Sequence, residues 1–421
     1  MDVPGVSAGG PAGVPAPAAD ATASGHAALR VGLSTTTIEP ALTGGRLDGI
    51  GVYSEALLRH LPQAGCQVRP LSFAPPGRAD RLSVGRALPL SFALATLGDL
   101  ILPASARLAV QAGVQAAPGG ALQRHAPPPG AIDVFHATDY RIVRMDCPVV
   151  ATLHDALPIS HPEWCSPRLR AVKNWLQKRA AQKADHVIAV SRFAVRELVE
   201  CFGVDERRIS VVHNGVGAEW FEAPPAEARD ATLARHGLKP GYFLFVGTLQ
   251  PRKNVERLLQ AYLALPPVLR AARQLVIVGA PGWRSDDLVR QISAARQRGE
   301  NVAWLSELTD AAQLRHLYAG AGALVFPSLY EGFGIPVLEA FAAGLPVVAS
   351  NATSLPEVCQ GAALEFDPLS VPELSAAMTS MVRDDALRAR CIAAGRRRAL
   401  ELTWDITARR TAAVYHSLLT H

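Results

Sequence analysis

The stretch PSLYEGFGIPVLEAFAAG, Pro327–Gly344, places two carboxylates, Glu331 and Glu339, around a loop that holds Gly332 and Gly334. An apolar run, Ala323–Phe326, precedes it, and a short apolar helix is predicted after it, with Pro336 in its first turn and Gly344 at its stop. The glycines allow a ligand close to the backbone, and the helix start offers unpaired N–H groups. Carboxylates at such a point suit adjacent sugar hydroxyls. A plainer account is that Glu331 merely ends a strand and Glu339, in or near the first helical turn, complements the helix dipole. A second element, Arg252-Lys253-Asn254, follows the apolar run Tyr242–Val246. Two cations at a strand end could meet an anionic ligand, Arg with a planar fork and Lys with a compact charge, although adjacent basic residues are usually surface charge.

Two further elements lie in the first half. Asp48-Gly-Ile-Gly51 opens the first long helix, a turn that suits phosphate, with Gly51 the position of interest. Thr152-Leu-His154-Asp155 closes the run Val149–Leu153 and directs His154 to a strand end. Ser191 reads as a helix cap. No Asp-x-Asp pair ends a strand, so cations rather than a metal are expected to meet the phosphates.

The elements that must position these residues alternate throughout: short apolar runs, then helix-length periodic stretches, in two groups of similar size. That pattern predicts parallel sheets with helices on both faces. Ligands of such sheets lie at the carboxyl ends of the strands. The expected organisation is a disordered tail over 1–28, an α/β domain over 29–213, a Pro/Ala-rich linker over 214–240, a second α/β domain over 241–403 and a last helix over 404–421 returning to the first domain. A hinge is expected near His213–Gly215 and Trp404.

With 421 residues, 49% of them hydrophobic and 19% charged, the chain has the balance of a packed two-domain protein. The formal charge of +5 suits anionic small ligands or an anionic membrane, and gives no argument for nucleic acid. The six cysteines form no Cys-x-x-Cys pair and read as reduced thiols of a cytoplasmic protein. The first residues lack the basic start and apolar run of a secretory signal, and no apolar run approaches the roughly 20 residues of a spanning helix.

Glu331 and Glu339, with Gly332-Phe333-Gly334-Ile335-Pro336 between them, resemble the signature of the family-four (group 1) retaining nucleotide-sugar glycosyltransferases. The likeness covers roughly residues 29–420 and is weakest over about 74–130. It implies a GT-B fold, two Rossmann-like doubly wound domains facing across a cleft. It implies that Glu331 bonds the donor sugar, that Glu339 bonds the ribose, and that Phe333, Gly334 and Ile335 line the sugar and diphosphate. Arg252 and Lys253 are similar to the family's phosphate-binding element. Gly51 is similar to a loop reaching over the phosphates, and His154 to a histidine near the reacting sugar. Leu308, in the turn Ser306-Glu307-Leu308, would lie beside the nucleobase.

No cofactor beyond the nucleotide-sugar co-substrate is implied. TLHDALPISHPEW and EGFGIPVLEA resemble mannosyltransferases of bacterial surface-polysaccharide assembly, which makes GDP-mannose the expected donor and a glycan or lipid-linked glycan the expected acceptor. A 2-epimerase of the same shape, or a silent nucleotide-sugar-binding scaffold, is the alternative. Residues 78–110, with Arg78, Arg81, Arg86 and Arg107 around an apolar middle, read either as helices on the first sheet or as a contact with the inner membrane surface.

Overall fold

The strands follow the short apolar runs of the sequence, because β-branched and aromatic residues buried on both faces give continuous rather than alternating patterns. The computed structural model describes residues 28–45, 47–75, 77–101, 131–165, 167, 170–308 and 310–419. The first sheet is built from β1 (Leu29–Ser34), β2 (Cys66–Ser72), β3 (Arg86–Ala87), β4 (Val134–Ala137), β5 (Val149–Leu153), β6 (His186–Ala189) and β7 (Ile209–Val211). Its order is β3-β2-β1-β4-β5-β6-β7, and every described pairing is parallel. The second sheet comprises β8 (Tyr242–Val246), β9 (Leu275–Val278), β10 (Val302–Leu305), β11 (Ala321–Phe326), β12 (Val347–Ser350) and β13 (Leu364–Phe366). Its order, β10-β9-β8-β11-β12-β13, is also all parallel. Both orders reverse direction beside their first strand, the switch point of doubly wound sheets. These are the two Rossmann-like domains expected from the sequence.

Two segments cross between the domains side by side. Val216 pairs in parallel with Thr403, and the Val216 N–H donates to the Leu402 carbonyl at 3.0 Å. A Cβ on Gly215 would stand 2.3 Å from the Thr403 carbonyl carbon, so only glycine lets the two segments approach backbone to backbone here. Beyond it the helix Trp404–Leu419 lies on the helix Gly49–His60. Trp404, Ala408, Ala412 and Tyr415 join the core formed by Val31, Leu33 and Tyr53.

Residues 214–240 are more than a linker. The helix Ala226–Arg235 packs on the helix Ala311–Gly320 of the second domain. Buried Leu233 and Leu238 join the second core, and Thr232 Oγ1 meets His316 Nδ1 at 2.8 Å, so these contacts outweigh the polar composition that suggests a connector. Of the segment 78–110, the described part forms β3 and the helix Phe92–Ile101. Leu88, Phe92 and Ala95 pack into the first core, while Arg78, Arg81 and Arg86 are exposed. Arg107 lies outside the described residues, as does the tail expected over 1–28 except Ala28. Among the described residues no helix is long and apolar enough to cross a membrane.

Candidate active site

Arg252 and Lys253 occupy a single 3-10 turn, Pro251–Lys253, just past the carboxyl end of β8. Asn254 ends the turn in the left-handed region, φ 58°, which asparagine tolerates. Its side-chain amide donates to the carbonyls of Pro327 at 3.0 Å and Pro368 at 2.8 Å. The Leu329 N–H donates to the Arg252 carbonyl at 2.7 Å. The cationic turn is thereby tied to the loop that carries Glu331.

That loop leaves the carboxyl end of β11, next to β8 in the sheet. Glu331 meets Lys253 Nζ at 2.6 Å and Arg252 Nη1 at 3.1 Å, all three at low exposure. Lys253 also stands 5.1 Å over the Phe326 ring. Burial alone would raise the Glu331 carboxyl, but Lys253 and Arg252 override it and hold it below its ordinary value. Burial draws Lys253 below its ordinary range against the pull of Glu331, whereas Arg252 is raised because Glu331 and Asp155 outweigh its burial. One carboxylate is thus shared by two cations, and the trio keeps a net positive charge.

The segment after β12 supports the loop. Thr353 Oγ1 accepts from the Glu331 N–H at 3.0 Å, and Ser354 Oγ donates to the carbonyls of Glu331 at 2.9 Å and Phe333 at 3.0 Å. Thr353 is held at φ 56°, costly for a β-branched residue. Gly334, at φ 111°, caps the helix Ile335–Ala342, and Pro336 sits in its first turn. Glu339 is the fifth residue of the helix, just past its first turn, near the place expected for it. It accepts from the Tyr318 hydroxyl at 2.9 Å. Burial pushes it up to about 7, with the Glu219 charge adding to the rise against the Tyr318 hydrogen bond.

The first domain meets this loop at His154. A Cβ on Gly332 would fall 2.1 Å from the His154 carbonyl oxygen, so only glycine admits that approach. The imidazole turns into its own domain, edge-on to Tyr53 at 5.1 Å between centroids. Its Nε2 lies 3.0 Å from the Thr138 carbonyl, which accepts and therefore leaves Nδ1 as the ring's acceptor. Burial lowers its pKa and favours the neutral ring. Gly51 is buried in the first turn of its helix, with its N–H given to Asp48 Oδ1 at 2.9 Å rather than left open for phosphate.

Between the domains runs a cleft of about 1560 Å³. Leu308, Glu339 and Gly247 line it from the second domain, Asp48 and Ile50 from the first. His154, Arg252, Lys253 and Glu331 do not line it, since the cations are engaged by Glu331 and the two domains touch at Gly332. Phe333 is buried and Ile335 half-buried against cores of both domains.

Sequence reasoning missed the contacts that join the domains here. The Tyr330 hydroxyl donates to Glu197 and accepts from the Ala156 N–H at 3.2 Å. Ser191 Oγ donates to the Gly332 carbonyl at 2.7 Å as well as capping its own helix. Glu357 accepts from the Arg192 and Phe193 N–H groups and from His213 Nε2 at 2.6 Å. Tyr330 had a visible signal, its place beside Glu331. Glu197 and Glu357 had none, as each is an acid in an ordinary helical run.

Two family models divide the chain, glycosyltransferase family 4 over residues 47–220 and glycosyl transferases group 1 over residues 229–398. The O-antigen chain mannosyltransferase B of Escherichia coli is 33% identical over 288 residues, which is 68% of this chain and 74% of that one. The chain belongs to the group 1 glycosyltransferases. A glycogen synthase of Mycobacterium tuberculosis is also 33% identical, over 67% of this glycosyltransferase and 68% of that protein. The fold is that of solved GT-B enzymes: HepE of Anabaena, in complex with UDP-glucose, matches with a TM-score of 0.66 at 16% identity, over 93% of this chain and 100% of that one. This glycosyltransferase therefore has the GT-B architecture that the resemblance implied.

Proposed function

We propose that this enzyme transfers mannose from GDP-mannose to a glycan or lipid-linked glycan acceptor, keeping the donor's anomeric configuration and using no metal. The observation that carries the reading is the Arg252–Lys253–Glu331 cluster at adjoining strand ends of the second sheet, facing the His154 strand end of the first. The donor diphosphate takes the two cations, and Glu331 turns to the sugar hydroxyls. The bond between the anomeric carbon and the diphosphate oxygen breaks, and its electron pair leaves with the diphosphate. Arg252 and Lys253 stabilise the growing charge, the part a divalent ion plays elsewhere. The acceptor hydroxyl attacks from the same face, and its proton passes to the departing diphosphate.

Neither Glu331 nor Glu339 is assigned as a covalent nucleophile. Glu331 is engaged by cations, and Glu339, beside Tyr318, takes the ribose. Leu308 lies along the cleft where the nucleobase would rest. His154 contributes its carbonyl at the sugar loop and a neutral ring behind it. Mannose rests on likeness to mannosyltransferases such as the O-antigen enzyme, and the acceptor class on the same relative. A cytoplasmic placement with peripheral membrane contact completes the reading.

The test is a donor panel of GDP-, UDP- and dTDP-sugars with a lipid-extract acceptor, with and without chelator, read by product mass and anomeric coupling. A mannosylated product of unchanged configuration, insensitive to chelator, is expected. Sugar isomerised without acceptor would favour the epimerase reading, and tight donor binding without turnover would favour a silent scaffold.

A further inference from the structure

We propose that the helix Arg170–Lys183, at the rim of the cleft, is a docking surface for an anionic lipid bilayer. Its sequence, RAVKNWLQKRAAQK, carries five cations and no acid. One face turns Leu176 and Gln177 to the cleft. Another presents Val172, 55% exposed, and Trp175, 47% exposed. The Arg179 guanidinium lies 5.0 Å over the Trp175 ring, and Lys178 is exposed beside it. An amphipathic aromatic ring with flanking cations suits the boundary between headgroups and acyl chains.

The rest of the rim agrees. The exposed large hydrophobic residues of the first domain are Leu47, Leu90, Leu94, Val172 and Trp175 among the described residues. Each lines the cleft or adjoins in sequence a residue that does. Leu47 lines the cleft itself and the other four stand on segments that line it, so the segments bordering this opening expose apolar side chains, as interaction surfaces do. The cations beside them select a negatively charged one, and a bilayer is the surface that would take both. The inference rests on the proposed function for its purpose, the delivery of a lipid-carried acceptor to the cleft, but its readout needs no transfer.

The experiment floats the full-length protein with vesicles of phosphatidylcholine, alone or mixed with phosphatidylglycerol. Binding to the mixed vesicles, weakened by salt, is expected. Lys178→Gln with Arg179→Gln should weaken partitioning roughly 30-fold, at about fivefold for each cation withdrawn from an anionic surface. Trp175→Ser should weaken it on both vesicle types and abolish any fluorescence shift of that residue. Donor affinity, measured separately by calorimetry, should be unchanged in both variants, which separates loss of docking from loss of the site. Several results would overturn the proposal. These are no binding to mixed vesicles, equal binding by parent and variants, or loss of binding only when Arg78, Arg81 and Arg86 are changed to Gln. So would a parent that is dimeric by light scattering and made monomeric by Trp175→Ser, since the face would then belong to a second copy.

Discussion

Arg252 and Lys253 share Glu331, so their substitution has two consequences. Arg252→Ala should lower turnover at saturating donor roughly 100- to 1,000-fold, the usual cost of removing a donor aimed at developing charge. Steady-state kinetics checks this, and near-normal turnover would remove Arg252 from the leaving-group role. Lys253→Met should also lower the melting temperature, because Glu331 loses its nearer cation at 2.6 Å. Adding Glu331→Gln should restore much of that stability and none of the turnover.

Glu339 adds a pH dependence. Burial pushes its carboxyl up to about 7. Ribose hydroxyls donate to the ionised form, so donor binding should expel the proton. Affinity should then be flat above pH 7 and fall by up to about tenfold per unit below it. Calorimetry across pH, with Glu339→Gln as the variant that flattens the profile, measures the effect, and a profile unchanged by that substitution would locate the titration elsewhere.

At the level of elements, the sugar loop is held by its neighbours rather than by its own sequence. Thr353 and Ser354 fix its backbone from one side, and the His154 carbonyl closes on Gly332 from the other. Gly332→Ala meets a backbone atom at 2.1 Å, which no rotamer change relieves. The strand end of β5 and the loop must then separate. The expected result is a fold of unchanged far-ultraviolet dichroism whose transfer falls far more than its affinity for free nucleotide. Equal losses of both would mean that the second domain itself is disturbed.

Across the whole molecule, Glu357 ties the two domains together by receiving two N–H groups and His213 from the first domain. Burial works to raise it, yet His213 and those N–H groups hold it below its ordinary value. Removing a partly buried, hydrogen-bonded carboxylate of this kind costs about 2 kcal/mol or more. Glu357→Ala should therefore populate an open form about the crossing of Val216 with Thr403. Small-angle scattering should show a larger radius of gyration without donor and a return toward the parent value with GDP. No change in radius would assign closure to the Tyr330 and Ser191 contacts instead.

The sequence alone determined the strands other than β3, whose segment it read as helical or membrane-facing, the doubly wound class, and the placing of Arg252, Glu331 and His154 at strand ends. These are properties of local apolar runs, and a strand end stays next to the turn that follows it. The family signature between Glu331 and Glu339 was legible for the same reason, being contiguous. The tertiary structure decided that Lys253 and Arg252 share Glu331 and that the His154 ring faces inward, while the cap of Gly51 by Asp48 is local. It also decided that residues 226–235 belong to the second domain and that Glu197 and Glu357 join the halves. Apart from the Gly51 cap, each of these depends on a partner far away in the chain. Partners of that kind are chosen by packing and by the need to satisfy buried charge, and neither leaves a periodic trace in sequence.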